Sequence, residues 1–201
     1  METAYNEKAP MTLKMIRPDV PVWKINNFYL PEVSFENENA IDQGNNQDRY
    51  MSSIKDSDKD SFKKAWLENI SVIVQHIQDQ AKTQLVYDMW LNFLKDLKVD
   101  SLPDIFIDRP GFNMGKHIDN RFIIGTVIVN LKDNPKSSGT HFWNSIDEPI
   151  PWYSGPVKKH TGILMLNNVN TLHSININKN EEDVRHIAYE NICVSDLFKG
   201  Y

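Results

Sequence analysis

Six short runs rich in β-branched and aromatic residues occupy the chain between Ile105 and Val194, and that texture constrains the fold most. The runs are Ile105–Ile107, Arg121–Leu131, Thr140–Trp143, Thr161–Leu166, Thr171–Ile177 and Arg185–Val194. Turn signals separate them: Asp133-Asn-Pro135, Ser137-Ser-Gly139, Asn167-Asn168 and Asn178-Lys-Asn180. Upstream the period changes. Ser57 or Asp60 can cap a helix to about Lys82, with Phe62, Ala65, Trp66, Ile70, Ile73, Val74 and Ile77 on one face. Leu85, Met89, Trp90, Phe93, Leu94 and Leu97 repeat the pattern until Ser101-Leu-Pro103 stops it. Helices followed by short strands predict an α+β, mainly β fold, two helices bracing an antiparallel sandwich.

The first fifty residues carry Pro10, Pro18, Pro21 and Pro31, so long helices are excluded there. Val20–Ile25 and Asn27–Leu30 read as short extended segments, and Asn37–Asp48 as a polar loop. At 201 residues one domain is expected. Within it, 1–56 is extended, 57–98 helical and 104–194 the β core.

A net charge of −5 argues against a general nucleic-acid surface, which needs a concentrated basic face. Cys193 is the only cysteine, so neither a disulfide framework nor a thiolate metal site is expected. No apolar run approaches a membrane span and the first residues lack a signal core, so the expected location is cytoplasmic.

Chemistry concentrates in Asp108-Arg-Pro-Gly-Phe-Asn-Met-Gly-Lys-His117-Ile-Asp119-Asn120. Residues two apart on a strand point to the same side, so His117 and Asp119 share a face. His173 lies in another strand-like run, and Arg185 opens a third twelve residues later. Two imidazoles and one carboxylate, with the other positions open, suit a non-haem Fe(II) centre. A planar guanidinium in the same pocket matches an organic carboxylate bidentately.

These residues, with Pro110-Gly111 before the motif and Gly139-Thr140 after a strand, resemble the iron(II)- and 2-oxoglutarate-dependent oxygenases, especially their small prolyl-hydroxylase-like members. The resemblance covers roughly residues 104 to 193. It implies a double-stranded β-helix, the jelly-roll or cupin-like barrel. It also implies Fe(II) on His117, Asp119 and His173, with 2-oxoglutarate and O2 as co-substrates. Arg185 would take the distal carboxylate of 2-oxoglutarate. One branch of the family places a serine two residues later, where this chain has Ile187, so Thr126 and Tyr189 are the candidates for a second contact. The implied reaction is hydroxylation of a small molecule or peptidyl side chain, with release of succinate and CO2. Halogenating relatives carry Ala or Gly at the carboxylate position, and Asp119 here favours hydroxylation, with desaturation or cyclisation left open.

Other assignments stay open at this stage. His141 is a rival to His173 as ligand and otherwise a substrate contact. Trp143 and Trp152 either recognise substrate from a long loop or cover the barrel end. Asn120 and Arg121, beside Asp119, are further substrate candidates. His186 should point away from Arg185, His76 should sit at the helix boundary, and His160 should be solvated. A metal-dependent cupin-type enzyme without 2-oxoglutarate and a non-catalytic jelly-roll interaction module are the alternatives.

Overall fold

The computed structural model describes residues 9–41, 48–80, 97–134, 139–179 and 184–194. Strands β1 (Thr12–Arg17), β2 (Val20–Asn26), β3 (Phe35–Ala40) and β4 (Arg49–Ile54) precede helix α1 (Asp56–Gln80). Then come β5 (Asp104–Asp108), β6 (Asn113–His117), β7 (Ile123–Asn130) and β8 (His141–Phe142). The last four strands are β9 (Tyr153–Ser154), β10 (Gly162–Leu166), β11 (His173–Asn176) and β12 (Arg185–Cys193). They form an eight-stranded sheet, β1-β2-β10-β7-β12-β5-β4-β3, and a separate four-stranded sheet, β6-β11-β8-β9. Every pairing among the described residues is antiparallel.

Alternation along the strands sorts the large sheet into two apolar faces. Ile105, Val127, Val129, Leu164, Leu166, Ala188 and Ile192 meet Phe62, Trp66, Ile70, Ile73 and Ile77 of α1. Their alternates Phe106, Ile128, Ile163, Met165 and Ile187 form a second core with Phe142 of the small sheet. The helix therefore stiffens the back of the large sheet, and its front faces the small sheet. Burial at three-to-four spacing gives α1 its stripe, as the sequence period predicts.

Several sequence expectations are corrected. The second helix expected near Leu85–Leu97 falls mainly on residues 81–96, outside the described residues, so one bracing helix is seen among those described. The two sheets are separate and do not close into a barrel. Part of the expected polar loop is strand β3, which pairs with β4 as an exposed edge. Its Asn- and Glu-rich sequence suits an edge, where one side of the backbone stays solvated. The extended segment after Val20 stops at Asn27, whose φ of 61° lies in the left-handed region that Asn tolerates.

Two histidines flank the large sheet. His76 stands edge-on to Trp23, at the boundary of α1 as expected, and His186 stacks on Phe35. His160 is half-buried against Tyr29 instead of solvated. Burial is the main cause that pushes His76 and His186 below the ordinary histidine value. Lys132 adds to the effect at His186. The unfolded chain then binds more protons than the folded one below about pH 6.5, so stability is full above that pH and falls as pH drops through the folded values. The unfolding midpoint in urea should decline as pH falls below about 6.5. The double variant His76→Phe/His186→Phe should show a shallower decline. An unchanged slope in the double variant would refute the assignment.

Candidate metal centre

His117 ends β6 and His173 begins β11, and the two face each other in register. A bulge between His173 and Ile175 follows, so the pleat is locally reset. The two imidazole centroids lie 4.3 Å apart. His117 Nδ1 donates to the Gly115 carbonyl at 2.8 Å, and His173 Nδ1 donates to the Thr171 carbonyl at 2.9 Å. A carbonyl can only accept, so both rings carry the proton on Nδ1 and present the Nε2 lone pair. Both Nε2 atoms point at one oxygen: each lies 3.7 Å from Asp119 Oδ1. Burial holds His173 below the ordinary histidine value and so favours the neutral form, an effect that the Asp119 charge partly offsets.

Asp119 is held from two sides. Its Oδ2 accepts the Thr126 hydroxyl at 2.9 Å. The same hydroxyl lies 3.0 Å from Asn191 Oδ1, so its one proton is shared between two acceptor oxygens. The Tyr189 phenol joins this cluster through Asn191 and Thr126. Burial pushes Tyr189 up to about 12, with Asp119 the second cause, so it stays a neutral donor. The backbone around Asp119 is pinned by Asn167, whose Nδ2 donates to the carbonyls of Asp119, Asn120 and Ile123. Among the described residues these three, His117, Asp119 and His173, are the group whose donor atoms converge, all within 4.8 Å. Two neutral imidazoles and one carboxylate, each oriented by a second hydrogen bond, fit a divalent Fe(II)-type ion.

The same cavity extends between the sheets. His117, Met114, His173 and Ile175 line it from the small sheet, and Arg49, Ile128, Thr140, Arg185, Ile187 and Tyr189 complete its wall. Arg185 is fully buried. Its Nη1 donates to Asp108 Oδ2 at 3.2 Å and its Nη2 to Thr140 Oγ1 at 3.3 Å, while Nε has no partner. Burial lowers Arg185 to about 10, against the pull of Asp108, so it remains a cation at neutral pH. Arg49 grips Asp108 far more tightly, Nε to Oδ1 at 2.6 Å and Nη2 to Oδ2 at 2.9 Å. Its guanidinium also lies between the Phe106 and Phe112 rings, 4.5 and 4.2 Å from their centroids. The end of the cavity away from the histidines therefore carries two arginines and one carboxylate, a net charge of one positive.

The sequence-derived substrate candidates lie elsewhere. His141 pairs with Ser174, and Phe142 with His173, so alternation puts His141 on the face opposite His173. His141 bonds Ser154 Oγ at 2.8 Å, and Trp143 donates to Ser174 Oγ at 2.9 Å; both line a broad outer groove with Lys116 and Asn176. Trp152 packs on Phe142 and Tyr153 under the Arg17 guanidinium, covering one end of the core. Asn120 and Arg121 are exposed. Asn120 Oδ1 accepts from the Phe122 amide, and Arg121 lies over the Phe122 ring. Thr126, proposed from the sequence as a contact to an organic acid, is committed to Asp119 instead, whereas Tyr189 does reach the cavity. Sequence reasoning missed Arg49, which follows an Asn-rich stretch without periodic signal, and Asn167, which looked like an ordinary turn residue.

No protein-family model and no curated protein matches the sequence. Among solved structures, one likeness is to a prolyl hydroxylase in complex with a hypoxia inducible factor oxygen degradation domain peptide fragment from Trichoplax adhaerens. The identity is 14% and the TM-score 0.37, over 49% of this chain and 46% of that one, so the chain spans less than half the length of that protein. Another is to SnoN, a non-haem alpha ketoglutarate dependent epimerase from nogalamycin biosynthesis. There the identity is 13% and the TM-score 0.41, over 86% of this chain and 78% of that one. At these identities and scores neither likeness bears on what the chain does.

Because Thr126 fixes the carboxylate that both imidazoles face, Thr126→Val should weaken Mn(II) binding by roughly ten- to a hundred-fold. Isothermal titration of the purified protein measures this, and circular dichroism checks that the fold is retained. Native affinity in a folded Thr126→Val protein would show that Thr126 does not orient Asp119.

Proposed function

We propose that this chain is an Fe(II)- and 2-oxoglutarate-dependent dioxygenase that hydroxylates a small molecule or a peptidyl side chain and releases succinate and CO2. The observation that carries the reading is the shared cavity: two imidazole Nε2 atoms converge on Asp119 Oδ1, and a buried cation, Arg185, stands in the same wall. His117, Asp119 and His173 would hold the metal. Bound iron and the oxo-acid would supply the oxidising chemistry. The protein's own residues do the rest. Arg185 and Thr140 bind and orient the far carboxylate, and Tyr189 adds a neutral hydrogen-bond donor. Ile128, Ile175 and Ile187 keep the cavity dry, which strengthens each charged contact.

A second reading rests on a specific contact: Arg185 already bonds Asp108 and Thr140. If that pairing is its whole role, the chain is a metal-dependent cupin-type enzyme that needs no 2-oxoglutarate. The 3.2 and 3.3 Å contacts and the partnerless Nε favour the first reading, since they leave Arg185 able to take a further acceptor.

Anaerobic titration separates the two. With Fe(II) present, 2-oxoglutarate should bring up a weak visible band, and aerobic turnover should release succinate even without a prime substrate. Charge-assisted hydrogen bonds are worth about 1.5–3 kcal/mol. Arg185→Ala should therefore raise the 2-oxoglutarate dissociation constant roughly ten- to a hundred-fold, with metal affinity unchanged. Arg185→Lys should recover part of the loss. Absence of both band and succinate in native protein would favour the cupin-type reading.

A further inference from the structure

We propose that Arg49 and Asp108 act as a charge-setting pair that leaves Arg185 available to one carboxylate of the co-substrate. The inference rests on the 2-oxoglutarate reading of the cavity. Arg49, Asp108 and Arg185 are cross-strand neighbours on β4, β5 and β12, in register across three adjacent strands. Asp108 is fully buried, so its charge must be compensated inside the protein. It has two cations to choose between, and the geometry shows which one it prefers. Arg49 engages it bidentately, through Nε at 2.6 Å and Nη2 at 2.9 Å. Arg185 makes one contact, through Nη1 at 3.2 Å.

The fork is pre-organised from outside the cavity as well. Phe106 and Phe112 lie against the Arg49 guanidinium on separate rings, which restricts its rotation and favours the cation. Asp108 is thus neutralised chiefly by Arg49, and the net positive charge falls to Arg185. Arg185 keeps one nitrogen, Nε, with no partner although the residue is buried. Such a group calls for an acceptor. A monoanionic carboxylate end balances the charge of the Arg49, Asp108 and Arg185 group, whereas a dianionic phosphate end overcompensates it. Arg49 and Asp108 are positioning residues in this scheme, acting on the ligand through Arg185.

Removing Arg49 alone gives Asp108 wholly to Arg185 and makes that end of the cavity neutral. Arg49→Met should then weaken 2-oxoglutarate binding to Mn(II)-loaded protein by roughly ten- to a hundred-fold. Arg49→Lys, which keeps the charge but loses the fork, should give an intermediate value. The charge-balanced double variant Arg49→Met/Asp108→Asn restores the net charge of the native cavity, and should bring affinity back to within a few-fold of native. Mn(II) affinity, measured separately by titration, should stay constant throughout. A purely structural role would lower the melting temperature of these variants and leave the 2-oxoglutarate constants alike. Equal affinity in native and Arg49→Lys or Arg49→Met protein would overturn the inference, as would a folded double variant no better than Arg49→Met. Native protein that binds Mn(II) but no 2-oxoglutarate would overturn the functional reading itself, and this inference with it.

Discussion

A single buried carboxylate, Asp108, orders the interior of this protein. It joins β4, β5 and β12 through side chains as well as backbone, because Arg49 and Arg185 stand on either side of it in register. In an apolar interior the carboxylate is not tolerable alone, since the cost of desolvating an unpaired ion exceeds what nearby packing returns. Arg49 must form with it, and Arg185 adds a weaker contact from the other side. That requirement fixes the register of three strands at the point where the large sheet faces the small one. It also explains why a cationic end of the cavity can exist directly beside an apolar core of Phe106, Ile128 and Ile187.

The histidine side of the cavity solves a different problem, which is aiming the candidate ligands His117, Asp119 and His173 at one point without burying an unpaired charge. Each imidazole is turned by a carbonyl two residues behind it, Gly115 for His117 and Thr171 for His173. The pattern is local, so short strand ends suffice to build it. Asp119 lies past the end of β6, and a loop carboxylate needs support from elsewhere. Thr126 on β7 and Asn167 after β10 provide that support, the one at the side chain and the other at the backbone. Thr126 lies in the large sheet and Asn167 directly follows one of its strands, so the candidate ligands are indexed to the same frame that carries Arg185.

What could be read from the sequence follows from how local each signal is. The stripe Phe62, Trp66, Ile70, Ile73, Ile77 is a periodic pattern within one element, and the helix it predicts is present. The opposite orientations of Arg185 and His186 follow from strand alternation and hold in the structure, one in the cavity and the other against Phe35. The pairing of His117 with His173 needed a motif and a guess about strands, and the two do face each other. Long-range partners were not legible. Nothing in the residues around Arg49 signals that it would meet Asp108 fifty-nine positions later, because cross-strand contact depends on register that only the folded sheet defines. The side on which His141 stands has the same origin, because which face of a two-residue strand looks inward depends on its pairing with β11.

Two faces of one sheet therefore divide the work. The α1 side is mainly apolar and supplies the burial that makes the frame stiff. The opposite side can then tolerate polar groups that would be destabilising in a softer core: the charged triad, Thr126, and a phenol held neutral by burial. Each of these groups is compensated by a partner on a neighbouring strand, so the polar set is as dependent on sheet geometry as the apolar set is on the helix. Alternation along β12 carries both roles in one segment. Ala188 and Ile192 pack towards α1, while Arg185, Ile187 and Tyr189 line the cavity, so nine consecutive residues couple the stability of the frame to the placement of its charge.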